Sequence, residues 1–228
     1  MDAKISIDVT EARAAAGRLD VAVVNYGMGN LRSVVHALEY LGCTPRVGSK
    51  AEDFKICDAI VLPGVGAFGE AMANLKQQEL VQPLGQAVFE RATPFLGICL
   101  GMQLLARTSE EHGRHDGLGW VDAEVRHVPQ ESGRVPHVGW SSIRCEPDDP
   151  LFANIEAGSS FYFDHSLYMI ANGNVRVAQV DYGHPMVAAL SKDNIFATQF
   201  HPEKSQRSGL KLLRNFLNIS AREAGKTS

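Results

Sequence analysis

Residues 95–103 read FLGICLGMQ, an apolar run that ends at Cys99 with Gly97 and Gly101 two positions to either side. PFLGIC (94–99) has the length and apolarity of a buried strand, and LGMQLLART continues as a helix. A strand that passes into a helix through G-x-C-x-G has the plan of a nucleophile elbow. The glycines answer a steric demand, because so sharp a turn brings backbone against backbone and leaves no room for side chains. Such a turn lifts the sulfur above the sheet edge, aims the positive end of the helix at it, and offers the Leu100 N–H to a developing oxyanion. A free cysteine in a βα unit is also commonly a buried core thiol. The spacing alone leaves both readings open.

Outward from this stretch, strands and helices alternate. LDVAVVN (19–25) is a Val-rich strand. Asn30 then caps a helix with Leu31, Val34, Val35, Leu38 and Leu41 on one face, and Gly42 stops it. CTPRV (43–47) and DAIVL (58–62) are the next strands. PGVGAFG turns into a helix around residues 70–75, and another helix covers about 83–91. This alternation predicts an α/β fold: a mostly parallel central sheet with helices on both faces.

Beyond His112 the chain becomes β-rich, with the runs WVDAEVRHV, PHVGWSSIRC, FYFDHSLYMI, VRVAQVDYG and MVAALSKDNIFATQF. Lys192–Asp193–Asn194 makes a hairpin turn within the last of these. A final helix at about 208–222 presents Leu210, Leu212, Leu213, Phe216 and Leu217. The expected organisation is a single domain over 19–222, a poorly ordered extension at 1–18 and a tail at 223–228.

Composition narrows the function classes. The chain has 228 residues, 45% of them hydrophobic, which suffices for one core. A net charge of −4 with scattered Lys and Arg argues against a nucleic-acid or anionic-membrane surface. No apolar stretch approaches transmembrane length, and the first twenty residues lack the apolar core of a secretory signal. The four cysteines, Cys43, Cys57, Cys99 and Cys145, have neither disulfide-framework nor zinc-site spacing, so a cytoplasmic location without a metal or cofactor is expected.

A cysteine nucleophile needs a base. In FATQFHPEKS, His201 and Glu203 lie two residues apart beyond a strand, so on extended backbone they point the same way. His201 can face the sulfur while Glu203 orients the imidazole. His and Glu at this spacing are also ordinary loop residues, and the pair gains weight only beside the elbow. Gly64, Gly66 and Gly69 match G-x-G-x-x-G, which suggests a dinucleotide site. Against that, this is not the first βα turn, Pro63 sits at the strand end, and the nearest acid at ribose spacing, Glu90, falls in a helical run. The better reading is a flexible turn whose N–H groups serve the oxyanion beside Cys99. His112 and His115 lie in a polar loop without further ligands. His165 reads either as a core histidine satisfied by backbone or as a group facing the cleft.

GICLGMQ with HPEKS resembles the class I (triad) glutamine amidotransferases, whose fold is flavodoxin-like. NYGMGNLRSV, LPGVGAFGEAM, VPHVGW, FYFDHSLY and GLKLLRNFL extend the resemblance across residues 21–217 to the glutaminase subunits of imidazole glycerol phosphate synthase. The resemblance implies a catalytic triad of Cys99, His201 and Glu203 that cleaves glutamine to glutamate and ammonia through a glutamyl thioester. It implies oxyanion donors at Val65 or Gly66 and at Leu100, and glutamine contacts at Gln103, Ser166 and Leu167. It implies a heterodimer with a (β/α)8-barrel cyclase, met through Asn30, Trp140, Tyr162 and Lys204. That partner would take the ammonia to a ribulosyl-formimino nucleotide, making imidazole glycerol phosphate and aminoimidazole carboxamide ribotide in histidine biosynthesis. The chain departs from the family pattern in its extra N-terminal residues, in Asn25 where an aspartate is common, and in Leu167 where an aromatic is common.

Overall fold

The structure, a computed structural model, describes residues 19–226. The expected extension at 1–18 lies outside the described residues. In chain order the elements are β1 (Val21–Val24), α1 (Leu31–Tyr40), β2 (Arg46–Gly48), β3 (Ala59–Gly64), α2 (Phe68–Gln77), α3 (Val81–Gly85), β4 (Phe95–Cys99) and α4 (Leu100–Gln103). There follow β5 (Thr108–Ser109), β6 (His115–Asp116), β7 (Ala123–His127), β8 (His137–Arg144), β9 (Ser160–His165), β10 (Leu167–Ala171), β11 (Arg176–Asp181), β12 (Pro185–Lys192), β13 (Ile195–Thr198) and α5 (Gln206–Lys226).

Nine strands form the main sheet in the order β2-β1-β3-β4-β13-β12-β11-β8-β9. The pairs from β2 to β13 are parallel and those from β13 to β9 antiparallel. The parallel part has the flavodoxin-like order, in which ligands sit outside the carboxyl ends of the strands. A smaller sheet runs β10-β7-β5-β6. β1 shows why helices must cover both faces of the main sheet. Val21 and Val23 join Val34 and Leu38 of α1 and Leu212, Leu213 and Phe216 of α5 in one core. Ala22 and Val24 join Phe68, Met72 and Leu75 of α2 in another.

Several expectations are corrected. The second strand is Arg46–Gly48, later than CTPRV, because Gly42 with φ +97° ends the helix and the chain needs further residues to reach the sheet edge. The helix expected at 83–91 is α3 followed by a π-turn at Gln86–Glu90. LGMQLLART does not continue as a helix beyond Gln103. Arg107 N–H already bonds Ala123 O in the small sheet, which pulls the chain out of the helix after one turn. FYFDHSLYMI splits at Ser166 between the two sheets, β9 pairing with β8 and β10 with β7. The last helix runs to Lys226, through most of the expected tail. Pro63 lies inside β3 rather than ending it. It pairs with Ile98 of β4 but lies beyond the last β1 partner, Val61, so its missing N–H costs no bond to β1.

Candidate active site

Three neighbouring parallel strands deliver the site at their carboxyl ends. β4 ends at Cys99, which pairs in register with Gly64 at the end of β3. β13 pairs with β4 up to Thr198–Ile98 and then releases Gln199, Phe200 and His201. Cys99 has φ 55° and ψ −109°, a backbone state that costs a non-glycine residue about 1–3 kcal/mol and is held only where the surroundings over-determine it. The surroundings here are backbone. A Cβ on Gly97 would lie 2.7 Å from the carbonyl oxygen of Gly101, and a Cβ on Gly101 would lie 1.9 Å from that of Leu62. The two glycines of the elbow are therefore required by close approach of main chain.

Because α4 is a single turn, the helix contributes little field at the sulfur, and the polar work falls to side chains. His201 Nδ1 lies 2.8 Å from Glu203 Oε1, with both side chains almost wholly buried. That bond fixes Nδ1 as the protonated nitrogen and leaves Nε2 for the hydrogen bond to Cys99. Burial pulls the imidazole toward neutrality, but hydrogen bonds to Cys99 and Glu203 and their charges outweigh it and raise the group to about 10. The surroundings of His201 thus favour its imidazolium form. The second oxygen of Glu203 is buried with no partner among the described residues.

A cavity of about 360 Å³ opens over the sulfur, lined by Val65, Gly66, Cys99, Leu100, Gln103, Glu111, Pro136, Asp164, His165, Ser166, Leu167 and His201. Every residue expected to serve catalysis or glutamine binding except the buried Glu203 lines it. Gly66 turns with φ +105°, and a Cβ there would meet Met28. Gly64 is closed in by Tyr26 and Leu100, and Gly69 by His115, so packing around the elbow accounts for the G-x-G-x-x-G glycines. The hydroxyl of Tyr26 is buried without a partner among the described residues, and burial, then the charge of Cys99, pushes its ionisation upward.

Gln103 and Leu167 are more engaged than expected. Gln103 Nε2 donates to Leu167 O at 3.1 Å and to Gln199 Oε1 at 3.0 Å. Leu167 O also faces His165 Nδ1 at 2.7 Å, so both its lone pairs are used. Ser166 O accepts the Val128 N–H at 2.9 Å. His165 satisfies both readings offered for it, since it is buried, bonded to backbone and at the cavity wall.

Three of the four expected interface residues form one cluster at the surface, with Trp140 its most exposed member and Tyr162 and Lys204 half-buried. Trp140 is 49% exposed and pairs across the strands with Tyr162, edge to face at 6.0 Å. Lys204 Nζ lies 5.6 Å above the Tyr162 ring. The Tyr162 carbonyl accepts the His201 N–H at 2.9 Å, so the cluster is bonded directly to the His201–Glu203 segment. Asn30 caps α1 by accepting the Ser33 N–H, and α1 packs against the Pro202–Lys204 turn.

Two site residues escaped the sequence reading. Glu111 sits in a polar loop with no local signal, yet its carboxylate accepts the Phe68 N–H and reaches the cavity. Gln199 lies at a bend just past β13, and because Pro202–Lys204 is a 3-10 turn rather than the extended backbone expected for His201 and Glu203, no alternation reaches it.

The model of the family described as "Glutamine amidotransferase class-I" matches residues 22–219. The chain is 43% identical over 200 residues to "Imidazole glycerol phosphate synthase subunit HisH 1" of Campylobacter jejuni, covering 87% of this chain and all of that one. It is 44% identical over 203 residues to "Imidazole glycerol phosphate synthase subunit HisH" of Syntrophotalea carbinolica, covering 86% and 98%. Among solved structures, a chain of PurLQS from Thermotoga maritima superposes with TM-score 0.69 at 21% identity, covering 88% of this chain and 98% of that one. The glutaminase domain of Trypanosoma brucei CTPS superposes with TM-score 0.64 at 18% identity, covering 91% and 94%. These two likenesses concern the fold alone.

Proposed function

The chain belongs to the class-I glutamine amidotransferases, and from that premise we propose that it hydrolyses glutamine as the ammonia-supplying subunit of an imidazole glycerol phosphate synthase. The carrying observation is His201, held between Glu203 and Cys99 at the carboxyl ends of adjacent strands.

In this reading Cys99 Sγ attacks the side-chain carbonyl carbon of glutamine. The oxyanion takes N–H groups from Leu100 and from the Val65–Gly66 turn. His201 passes its Nε2 proton to the leaving nitrogen as the C–N bond breaks, releasing ammonia and leaving a glutamyl thioester. The neutral imidazole then takes a proton from water, whose oxygen attacks the thioester. Collapse breaks the C–S bond, frees glutamate and restores the thiolate–imidazolium pair. Glu203 keeps the imidazole in the required tautomer throughout.

Substrate recognition follows from what the cavity leaves open. Leu167 O is saturated, so the α-ammonium of glutamine finds its counter-charge in Glu111. Gln103 and the Ser166–Leu167 backbone fix the remainder of the amino acid. The volume, about 360 Å³, suits a small ligand.

The ammonia passes to a partner cyclase of (β/α)8-barrel form, docked on the face of Asn30, Trp140, Tyr162 and Lys204. There it completes imidazole glycerol phosphate and aminoimidazole carboxamide ribotide in histidine biosynthesis. No helix among the described residues is long and apolar enough to cross a membrane. Because its four cysteines lack the spacing of a disulfide framework, the reading places the enzyme in the cytoplasm.

The test measures glutamate release by the chain alone, with the cyclase, and with the cyclase and its nucleotide. Release is expected to be greatest with all three. Cys99→Ala should lose glutamine-dependent cyclisation and retain cyclisation driven by added ammonia. Wild-type glutamine turnover in that variant would overturn the assignment.

A further inference from the structure

Gln199 is fully buried and stands directly behind the nucleophile. Its Nε2 lies 3.7 Å from Cys99 Sγ, and its Oε1 accepts from Gln103 Nε2 at 3.0 Å. Its own N–H is tied to Ala188 O at 2.8 Å, which anchors the backbone from which the side chain projects.

The direction of the amide is forced. Leu167 O can only accept, so Gln103 must turn its NH2 toward it. The second hydrogen of that NH2 points at Gln199, which must answer with its oxygen. The NH2 of Gln199 is then left facing the sulfur. On the other side of Leu167 O, the His165 Nδ1–H donates to the same carbonyl, and His165 Nε2 accepts from His137 Nδ1 at 3.1 Å. Burial lowers the ionisation of both histidines, His165 to about 4, so both are neutral at physiological pH and their donor directions are fixed. A flip at either glutamine would set oxygen against oxygen or NH2 against NH2.

A donor fixed in this way discriminates between the forms of the sulfur. A thiol sulfur is a weak acceptor, whereas a bond from N–H to a charged group is roughly twice as strong as a neutral one. We propose that Gln199 is a further positioning residue of the glutaminase site: its side-chain N–H, aimed by Gln103, holds Cys99 as the thiolate opposite His201. The attacking sulfur is thereby gripped from two sides, by the imidazolium and by a neutral amide that carries no proton of its own to lose. The inference rests on Cys99 being the nucleophile.

The test is the pH profile of Cys99 carbamidomethylation by iodoacetamide in the full chain, read by peptide mass mapping so that Cys43, Cys57 and Cys145 are scored separately. In Gln199→Leu the midpoint should rise by about one unit, corresponding to about tenfold less thiolate at the wild-type midpoint. Gln199→Glu, which sets a carboxylate against the sulfur, should raise it further. With the cyclase and its nucleotide present, kcat for glutamine should fall about tenfold in Gln199→Leu while KM stays within about twofold. If the leucine variant does not fold, Gln199→Asn decides, since it keeps an interior amide one methylene too short to reach the sulfur. A midpoint coincident with wild type in the folded variant assigns Gln199 to packing and overturns the proposal. Alkylation is read without glutamine, so the two readings fail separately. An active wild type with an unmoved midpoint rejects only the role of Gln199. An inactive wild type whose midpoint depends on Gln199 rejects only the glutaminase reading.

Discussion

Gly101 runs so close to Leu62 that a β-carbon on it would sit 1.9 Å from the Leu62 carbonyl oxygen. Nothing flexible can yield there, because the obstacle is the backbone of a central strand. Gly101→Ala should therefore cost about 3 kcal/mol or more in urea denaturation and remove glutaminase activity through displacement of the elbow. Gly85→Ala is the control. That glycine has open space around it and helical φ/ψ of −60° and −43°, so alanine should stabilise by about 0.5–1 kcal/mol.

Stability should fall as pH rises through the upper part of the range from about 6.5 to about 10. His201 has its folded-state ionisation raised from 6.5 to about 10 against the opposing pull of burial. Below the unfolded value both states bind the proton and the full contribution is present. Between the two values the folded chain keeps the His201 proton, but with the sulfur held as thiolate it has given up one that the unfolded thiol keeps to about 8.5, so the erosion of stability sets in above that point. Melting temperature measured across this window should decline more steeply for wild type than for His201→Asn. Parallel slopes would refute the assignment of charge to His201.

Glu111→Gln should act on binding rather than chemistry. The amide keeps an acceptor for the Phe68 N–H but loses the charge facing the cavity. KM for glutamine should rise about 10- to 100-fold with kcat changed much less, measured with the cyclase present. An unchanged KM would mean that the substrate ammonium is held elsewhere.

Trp140→Ala should weaken cyclase binding by about 2 kcal/mol or more in calorimetric titration, as expected for a large aromatic at the heart of an exposed cluster. Its side chain is half exposed, so the melting temperature of the isolated subunit should barely change. A large stability loss with unaltered affinity would make it a packing residue.

The legible parts of the chain were those governed by local periodicity and backbone sterics. The βα alternation through β4 and the glycines around Cys99 are of this kind, whereas His201 and Glu203 meet across a 3-10 turn and not along the extended backbone expected for them. What escaped depends on contacts distant in sequence. The one-turn length of α4 is set by the bond from Arg107 to Ala123, and no propensity in LGMQLLART announces it. The split at Ser166 follows from two sheets competing for one apolar run. Glu111 acquires its place only because the 110s loop folds back onto the start of α2. Gln199 lies at a bend beyond β13, where no alternation applies, and an amide past a strand end reads first as a polar edge.

The order of the main sheet also sets when activity can begin. β13, the last strand in the chain, lies beside β4, and Gln199 and Cys99 are separated by 100 residues. In the proposed mechanism, an emerging polypeptide carries its cysteine long before the base, His201, has been made. Pairing β13 with β4 is a contact of long sequence separation, the kind that forms slowly. A chain cut short by incomplete translation or proteolysis before β13 therefore carries an inert thiol.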